Sequence, residues 1–238
     1  MSVKNITNNN QISLLVITPR FYPDLGGVEK HVLKTAELLQ KNPNLNLNII
    51  AAASRPNQKK FEAIANLPVH HFSFPKIKYL GLLIIWLKLF TQTWHLFRQA
   101  DVIHIHDVMI WCLPMRLLFP HKKFILTIHG WEGVYPIPKK NIWLKKVSTA
   151  LASQVICVGA YIKKYYGIKC DAIIEGAAEA GGSTSKTTVK KRSGNLIFLG
   201  RLAEDTGLSV LLQAWQELGA NLQKKFNLLF IGDGPLRA

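Results

Sequence analysis

The sequence predicts an α/β fold built on parallel sheet, in two domains of which the second is only begun. Short apolar runs alternate with segments of helical periodicity, most apolar runs end in a polar or glycine-bearing loop, and one long polar stretch divides the chain.

The first strand is expected over "ISLLVITP" (12–19), followed by a helix over about 28–40 and a second strand over "LNLNIIAAA" (45–53). The rhythm repeats with a helix over 82–97, strands over "DVIHIHD" (101–107) and "FILTIHG" (124–130), another helix, and "QVICVG" (154–159). This is the βαβ order of a parallel sheet. The stretch "EAGGSTSKTTVKKRSGN" (179–195) has almost no apolar content and reads as a linker. The domains are therefore placed at 1–185 and 186–238. Beyond the linker, "NLIFLGRL" is a strand, "GLSVLLQAWQEL" an amphipathic helix and "FNLLFIG" a second strand.

With 48% hydrophobic and 18% charged residues, the chain can bury a core and is not disordered by composition. Its net charge of +16 suggests an anionic partner. Of 30 basic and 14 acidic residues, 22 basic and 10 acidic ones lie before Lys186, so the excess is mostly N-terminal. No nucleic-acid module is recognisable and the aromatics sit in apolar runs, which argues against a nucleic-acid partner. Cys112, Cys157 and Cys170 show no paired or metal-like spacing, and their odd count argues against a disulfide framework and for a reducing compartment. The N-terminus has no apolar leader core, and the longest apolar run (79–87) is half of a bilayer span. A cytoplasmic protein without a transmembrane helix is expected.

Three segments hold candidate chemistry. Gly26-Gly27 follows the first strand, where glycine lets a ligand approach the backbone or simply makes a tight turn. In "DVIHIHD", His104 and His106 share one strand face and Asp107 ends the strand, while His129 ends the next. Open parallel sheets bind ligands at such tips. His104, deeper in the strand, reads as a hydrogen-bonded core residue; His106, Asp107 and His129 are the site candidates. No fourth ligand stands at metal-binding spacing, so no metal is expected. The third segment, "FLGRLAEDTGLSVLLQAW", puts Arg201 at a strand tip before a helix. That arrangement suits a diphosphate, or else makes a surface ion pair with Glu204 or Asp205.

The segments "GGVEKHVLKTAELL", "DVIHIHD", "TIHG", "VICVGAYIKKYYG", "LIFLGRLAEDTGLSVLLQAW" and "IGDGPLRA", in this order, resemble the retaining, nucleotide-sugar-dependent glycosyltransferases of family 4 (glycosyl transferases group 1). The resemblance implies the GT-B fold, two Rossmann-like domains with the acceptor held by the first and the sugar nucleotide by the second. The nucleotide sugar is then a co-substrate, and no cofactor is implied. The resemblance also implies that Gly26 and Gly27 lie over the donor phosphates, and that Gly232 and Gly234 border the donor nucleotide. His129 stands beside the transferred sugar with His106 and Asp107 on the acceptor side, and Arg201 neutralises the leaving diphosphate. The catalytic pair would be His129 and Arg201, acting in a pathway such as cell-envelope polysaccharide synthesis.

The sequence also departs from the family. Thr206 stands where the family usually has a second cation, and Glu175-Gly176 where Pro-Asn-Gly is common. The two donor-binding glutamates, seven residues apart, would lie beyond Ala238. The chain therefore reads as truncated in its second domain: a fragment, a pseudogene product, or one half of an enzyme that a second subunit completes. A different reading is a non-catalytic, membrane-associated partner that recruits a catalytic subunit. "KIKYLGLLIIWLKLFTQTWHLFR" (76–98), with Lys76, Lys78, Lys88, Trp86 and Trp94, fits either an interfacial helix on an anionic membrane or a helix buried against the sheet.

Overall fold

The computed structural model describes residues 11–24, 26–53, 55, 58–73, 80–130, 136–175 and 194–237. The expected linker lies almost wholly outside them, as do Lys76, Lys78 and Gly176. The described residues form two compact units, one holding those through Glu175 and the other those from Gly194.

The first unit is an eight-stranded sheet in the order β3-β4-β2-β1-β5-β6-β7-β8. Its strands are β1 (Ile12–Thr18), β2 (Leu45–Ala52), β3 (Phe61–Ile64), β4 (Leu67–Phe72), β5 (Val102–His106), β6 (Lys123–Ile128), β7 (Gln154–Val158) and β8 (Ala172–Ile174). All pairings are parallel except that of β3 with β4, so the expected parallel α/β architecture holds. The apolar runs are nearly continuous because both faces are covered. On β1, Leu15 and Ile17 join a core that includes Leu89 and Phe97 of α2 (Gly81–Gln99). The intervening Val16 joins the opposite core, with Val32 and Ala36 of α1 (Gly27–Gln40).

The β3–β4 hairpin is absent from the sequence reading. Its two-residue turn is Ala65-Asn66, both at positive φ (50° and 64°), without the glycine that usually marks such a turn. The edge strand β8 was likewise missed, being only three residues long and exposed.

Cys157 of β7 and Cys170, just before β8, form a disulfide with Cα atoms 6.0 Å apart. This corrects the expectation from cysteine count: spacing along the chain does not register that β7 and β8 are neighbours. The cysteines therefore give no support to a reducing compartment. Cys112 is free and buried, and burial pushes its thiol pKa up.

The helix expected over 82–97 is α2, and neither sequence alternative describes it alone. Ile85, Leu89, Thr93, Leu96 and Phe97 are buried against the sheet, whereas Leu83, Leu87 and Phe90 on the far side are exposed. No helix of the described residues is long and apolar enough to cross a membrane.

The second unit pairs β9 (Asn195–Leu199) with β10 (Asn227–Ile231) in parallel. Between them lie α6 (Leu208–Glu217) and α7 (Ala220–Lys225).

Candidate active site

The strand order reverses direction at β1, with β2 and β4 to one side and β5 to β8 to the other. Such a switch point leaves a crevice at the carboxyl ends of the two adjacent strands. The loop from β1 into α1 and the ends of β5 and β6 supply its residues.

The register Val16↔His104 puts His104 and His106 on the α1 side of the sheet, while Ile103 and Ile105 enter the α2 core. His104 Nε2 lies 2.8 Å from Thr127 Oγ1, the satisfied role expected of a core histidine. His106 is 1% exposed, and its Nδ1 lies 2.8 Å from His129 Nε2. His106 thus meets the crevice through His129. His31, on the first turns of α1, packs its ring 4.9 Å from that of His129.

Asp107 stitches the strand ends together. Its N–H donates to the Thr127 carbonyl (2.9 Å), and its Oδ1 accepts from the His129 N–H (3.1 Å) and from the Lys145 ammonium (3.2 Å). Asp107 adopts φ of 62°, a left-handed conformation that Asp tolerates better than most residues. Lys145 comes from α4 (Lys139–Leu151) and is buried. On the other side, the Tyr161 hydroxyl donates to the His129 carbonyl at 3.3 Å.

The site is electrostatically neutral at its histidines. Burial, reinforced by the neighbouring rings, pushes His104 down to about 4 and His106 well below the usual value. Burial also pushes His129 down to about 4, against the pull of Asp107. Burial and the Asp107 carboxylate raise the Tyr161 phenol. These rings act at neutral pH as hydrogen-bonding groups, not as cations.

Of the two glycines after β1, Gly27 faces open space, whereas a Cβ on Gly26 would meet the Glu29 carboxylate at 2.1 Å. Glu29 is buried, folded back over the start of α1. Among the described residues, no group of three His, Cys, Asp or Glu is arranged to hold a metal ion.

The second unit gathers Arg201, Gly232 and Gly234. The Gly200 N–H donates to the Ile231 carbonyl (3.1 Å) and the Leu202 N–H to the Asp233 carbonyl (2.9 Å), so the two strand-end loops run against each other. A Cβ on Gly232 would lie 1.8 Å from the Gly200 carbonyl oxygen, and one on Gly234 would lie 2.3 Å from that of Leu202. Both glycines therefore have a packing reason independent of any ligand. Arg201 is exposed at the tip of β9, and Gly207 (φ 78°) leads into α6.

The sequence model of Glycosyltransferase Family 4 matches residues 25–168. The chain belongs to glycosyltransferase family 4. Its matched stretch runs from the β1–α1 loop through α5 (Ala160–Tyr166) and so contains every residue of the histidine site. No curated protein is similar to the chain at a significant level.

Solved structures share the fold of this family 4 chain at low identity. The catalytic domain of starch synthase IV from Arabidopsis thaliana, bound to ADP and acarbose, has a TM-score of 0.61 at 13% identity, covering 94% of this chain and 69% of that one. Anabaena Alr3699/HepE, in complex with UDP and glucose, gives 0.62 at 14%, covering 94% and 62%. An E. coli trehalose-6-phosphate structure bound with UDP-2-fluoro glucose gives 0.65 at 11%, covering 93% and 65%. The family 4 chain thus spans 62 to 69% of the length of these three structures.

The sequence pointed to His106, Asp107 and His129, which the fold brings together, and missed His31, Lys145 and Tyr161. His31 was legible in principle, one turn after the glycine loop. Lys145 carries no local signal, because only the packing of α4 brings it to Asp107.

Proposed function

We propose that the chain takes part in retaining glycosyl transfer from a nucleotide sugar, with UDP or ADP as leaving group, to a glycan or lipid-linked acceptor. The observation that carries this reading is the hydrogen-bonded set of His106, Asp107 and His129 at the sheet's switch point in a family 4 chain. On this reading His129 orients a sugar hydroxyl as a neutral hydrogen-bonding ring, and His106 and Asp107 hold it in place on the acceptor side. Negative charge develops on the leaving diphosphate as the sugar gains oxocarbenium character, so preorganised cations and N–H groups supply most of the stabilisation. The Arg201 guanidinium and the amides of the Gly26-Gly27 loop are suited to that charge, and Gly232 and Gly234 would border the donor nucleotide. The two domains of the reading divide at 1–185 and 186–238. The protein would work at the cytoplasmic face of a membrane, in cell-envelope polysaccharide synthesis, with a second subunit free to complete the donor side.

Ligand-observed NMR with UDP- and ADP-sugars tests the reading. Binding is expected, weakened at least about tenfold in Arg201→Ala by loss of a charge-assisted contact. Absence of binding, or binding indifferent to Arg201→Ala, would favour a non-catalytic partner role.

A further inference from the structure

The α2 helix has two apolar faces. One is buried under the sheet; the other carries Leu83, Leu87 and Phe90, which are 58%, 62% and 46% exposed, at helical spacing along one line. Trp94 continues that line. Its ring lies 5.2 Å from Phe90 and 4.9 Å from Phe119, which follows α3 (Leu113–Leu118); Trp94 and Phe119 are half-buried, each packing one side against the core. A contiguous apolar ridge of this kind marks an interaction surface.

The charges around it select the partner. No acidic residue occurs between Glu62 and Asp101, or between Asp107 and Glu132. Asp101 is engaged with the Ser13 N–H at 2.8 Å. Arg98 at the end of α2 and Lys123 are exposed, while the Lys122 ammonium donates to the Arg98 carbonyl (2.8 Å) and lies 5.5 Å from the Phe119 ring centre, and the Lys88 ammonium donates to the Ser73 carbonyl. A second copy of the chain would bring these cations face to face with their own kind, whereas anionic headgroups would neutralise them.

We propose that the Leu83–Leu87–Phe90–Trp94 ridge docks on an anionic lipid bilayer, with α2 lying in the interfacial plane and Arg98 and Lys123 on the headgroups. Leucine and phenylalanine reach the acyl boundary, and Trp94 sits at headgroup depth, where indoles concentrate. The assignment rests on the membrane-side reading above and not on the donor chemistry, so vesicle binding and sugar-nucleotide binding succeed or fail separately.

Vesicle sedimentation of the full chain tests it, using phosphatidylglycerol-containing and pure phosphatidylcholine vesicles. Binding to the anionic vesicles at low salt is expected, falling as salt rises. Leu83→Asp and Leu87→Asp should each weaken it roughly tenfold, and Arg98→Gln or Lys123→Gln roughly fivefold. If the aspartate variants lose their circular-dichroism spectrum, Leu83→Ser with Leu87→Ser replaces them. Quenching of tryptophan fluorescence by brominated lipid should drop in Trp94→Phe while binding persists. No binding at low salt, equal binding to neutral vesicles, or binding unaffected by the leucine changes would overturn the proposal. Concentration-dependent dimerisation abolished by the same leucine changes would overturn it in favour of a second copy.

Discussion

The Nδ1 of His106 lies 2.8 Å from the Nε2 of His129, so two neutral rings at the ends of adjacent strands share one proton in a single hydrogen bond. Protonating either ring would place charge beside its partner in a desolvated site, and the cost shows as depressed basicity. His129 should therefore titrate near pH 4, as should His104, in nitrogen-detected NMR of the folded protein. The unfolded rings titrate near 6.5. Between those values the unfolded chain binds more protons, so stability is full above about pH 6.5 and falls as pH drops towards 4. For His104 alone the loss by pH 4 is about 3 kcal/mol. His104→Gln should flatten the acid limb of a stability-versus-pH curve; an unchanged limb would refute the assignment.

The Asp107–Lys145 pair carries a different kind of sensitivity. With side chains 21% and 10% exposed, it is sheltered enough that removing one charge takes a charge-assisted contact from a largely desolvated partner. Asp107→Asn, which keeps the residue type's tolerance of positive φ, should cost about 2 kcal/mol in chemical denaturation. Lys145→Met in the same background should recover part of that loss, giving a coupling energy of about 1 kcal/mol or more. Additive effects would mean that the pair is only geometrically adjacent.

The disulfide predicts a thiol count and a stability change. Only Cys112 should be free, and being buried it should react with a thiol reagent only after unfolding. Reducing the Cys157–Cys170 bond, which closes a loop with sequence separation 13 around α5, should lower stability by about 3 kcal/mol. Two reactive thiols in the unreduced, denatured chain beyond Cys112 would show that the bond does not form.

Much of the sheet was legible because its strands are buried on both faces and read as apolar runs, as "ISLLVIT" and "FILTI" do. What escaped depends on partners distant in sequence. Ala65-Asn66 turns without glycine, and Cys157 finds Cys170 only through β7–β8 pairing. The site shows the same division. His106, Asp107 and His129 stand at strand ends, where periodicity alone places them, whereas Lys145 reaches Asp107 across 38 positions. The second face of α2 was hidden for another reason. An all-round apolar helix gives no phase information, so only the fold separates Leu89, which is buried, from Leu87, which is not.

Gly130 offers the sharpest single-atom test of the site. It follows His129 at φ of 130°, a conformation that side-chain-bearing residues rarely adopt. A Cβ there would fall 2.2 Å from the Tyr161 hydroxyl, the group that donates to the His129 carbonyl. Gly159, at φ of 99°, leaves room for the same ring from the other side, since its Cβ would lie 2.6 Å from a ring carbon. Tyr161 is thus seated over two glycines, and Gly130→Ala must both strain the backbone and displace the tyrosine. A loss of about 2 kcal/mol or more is expected. Tyr161→Phe, which keeps the ring and loses only the hydrogen bond, should cost about 1 kcal/mol. The double change Gly130→Ala with Tyr161→Ala removes the clash but not the strain, so it should be more stable than the sum of its parts. The His129 NMR signals should shift in Gly130→Ala, because displaced Tyr161 no longer fixes the His129 carbonyl. Unshifted signals together with wild-type stability would show that the backbone at Gly130 does not hold the geometry described.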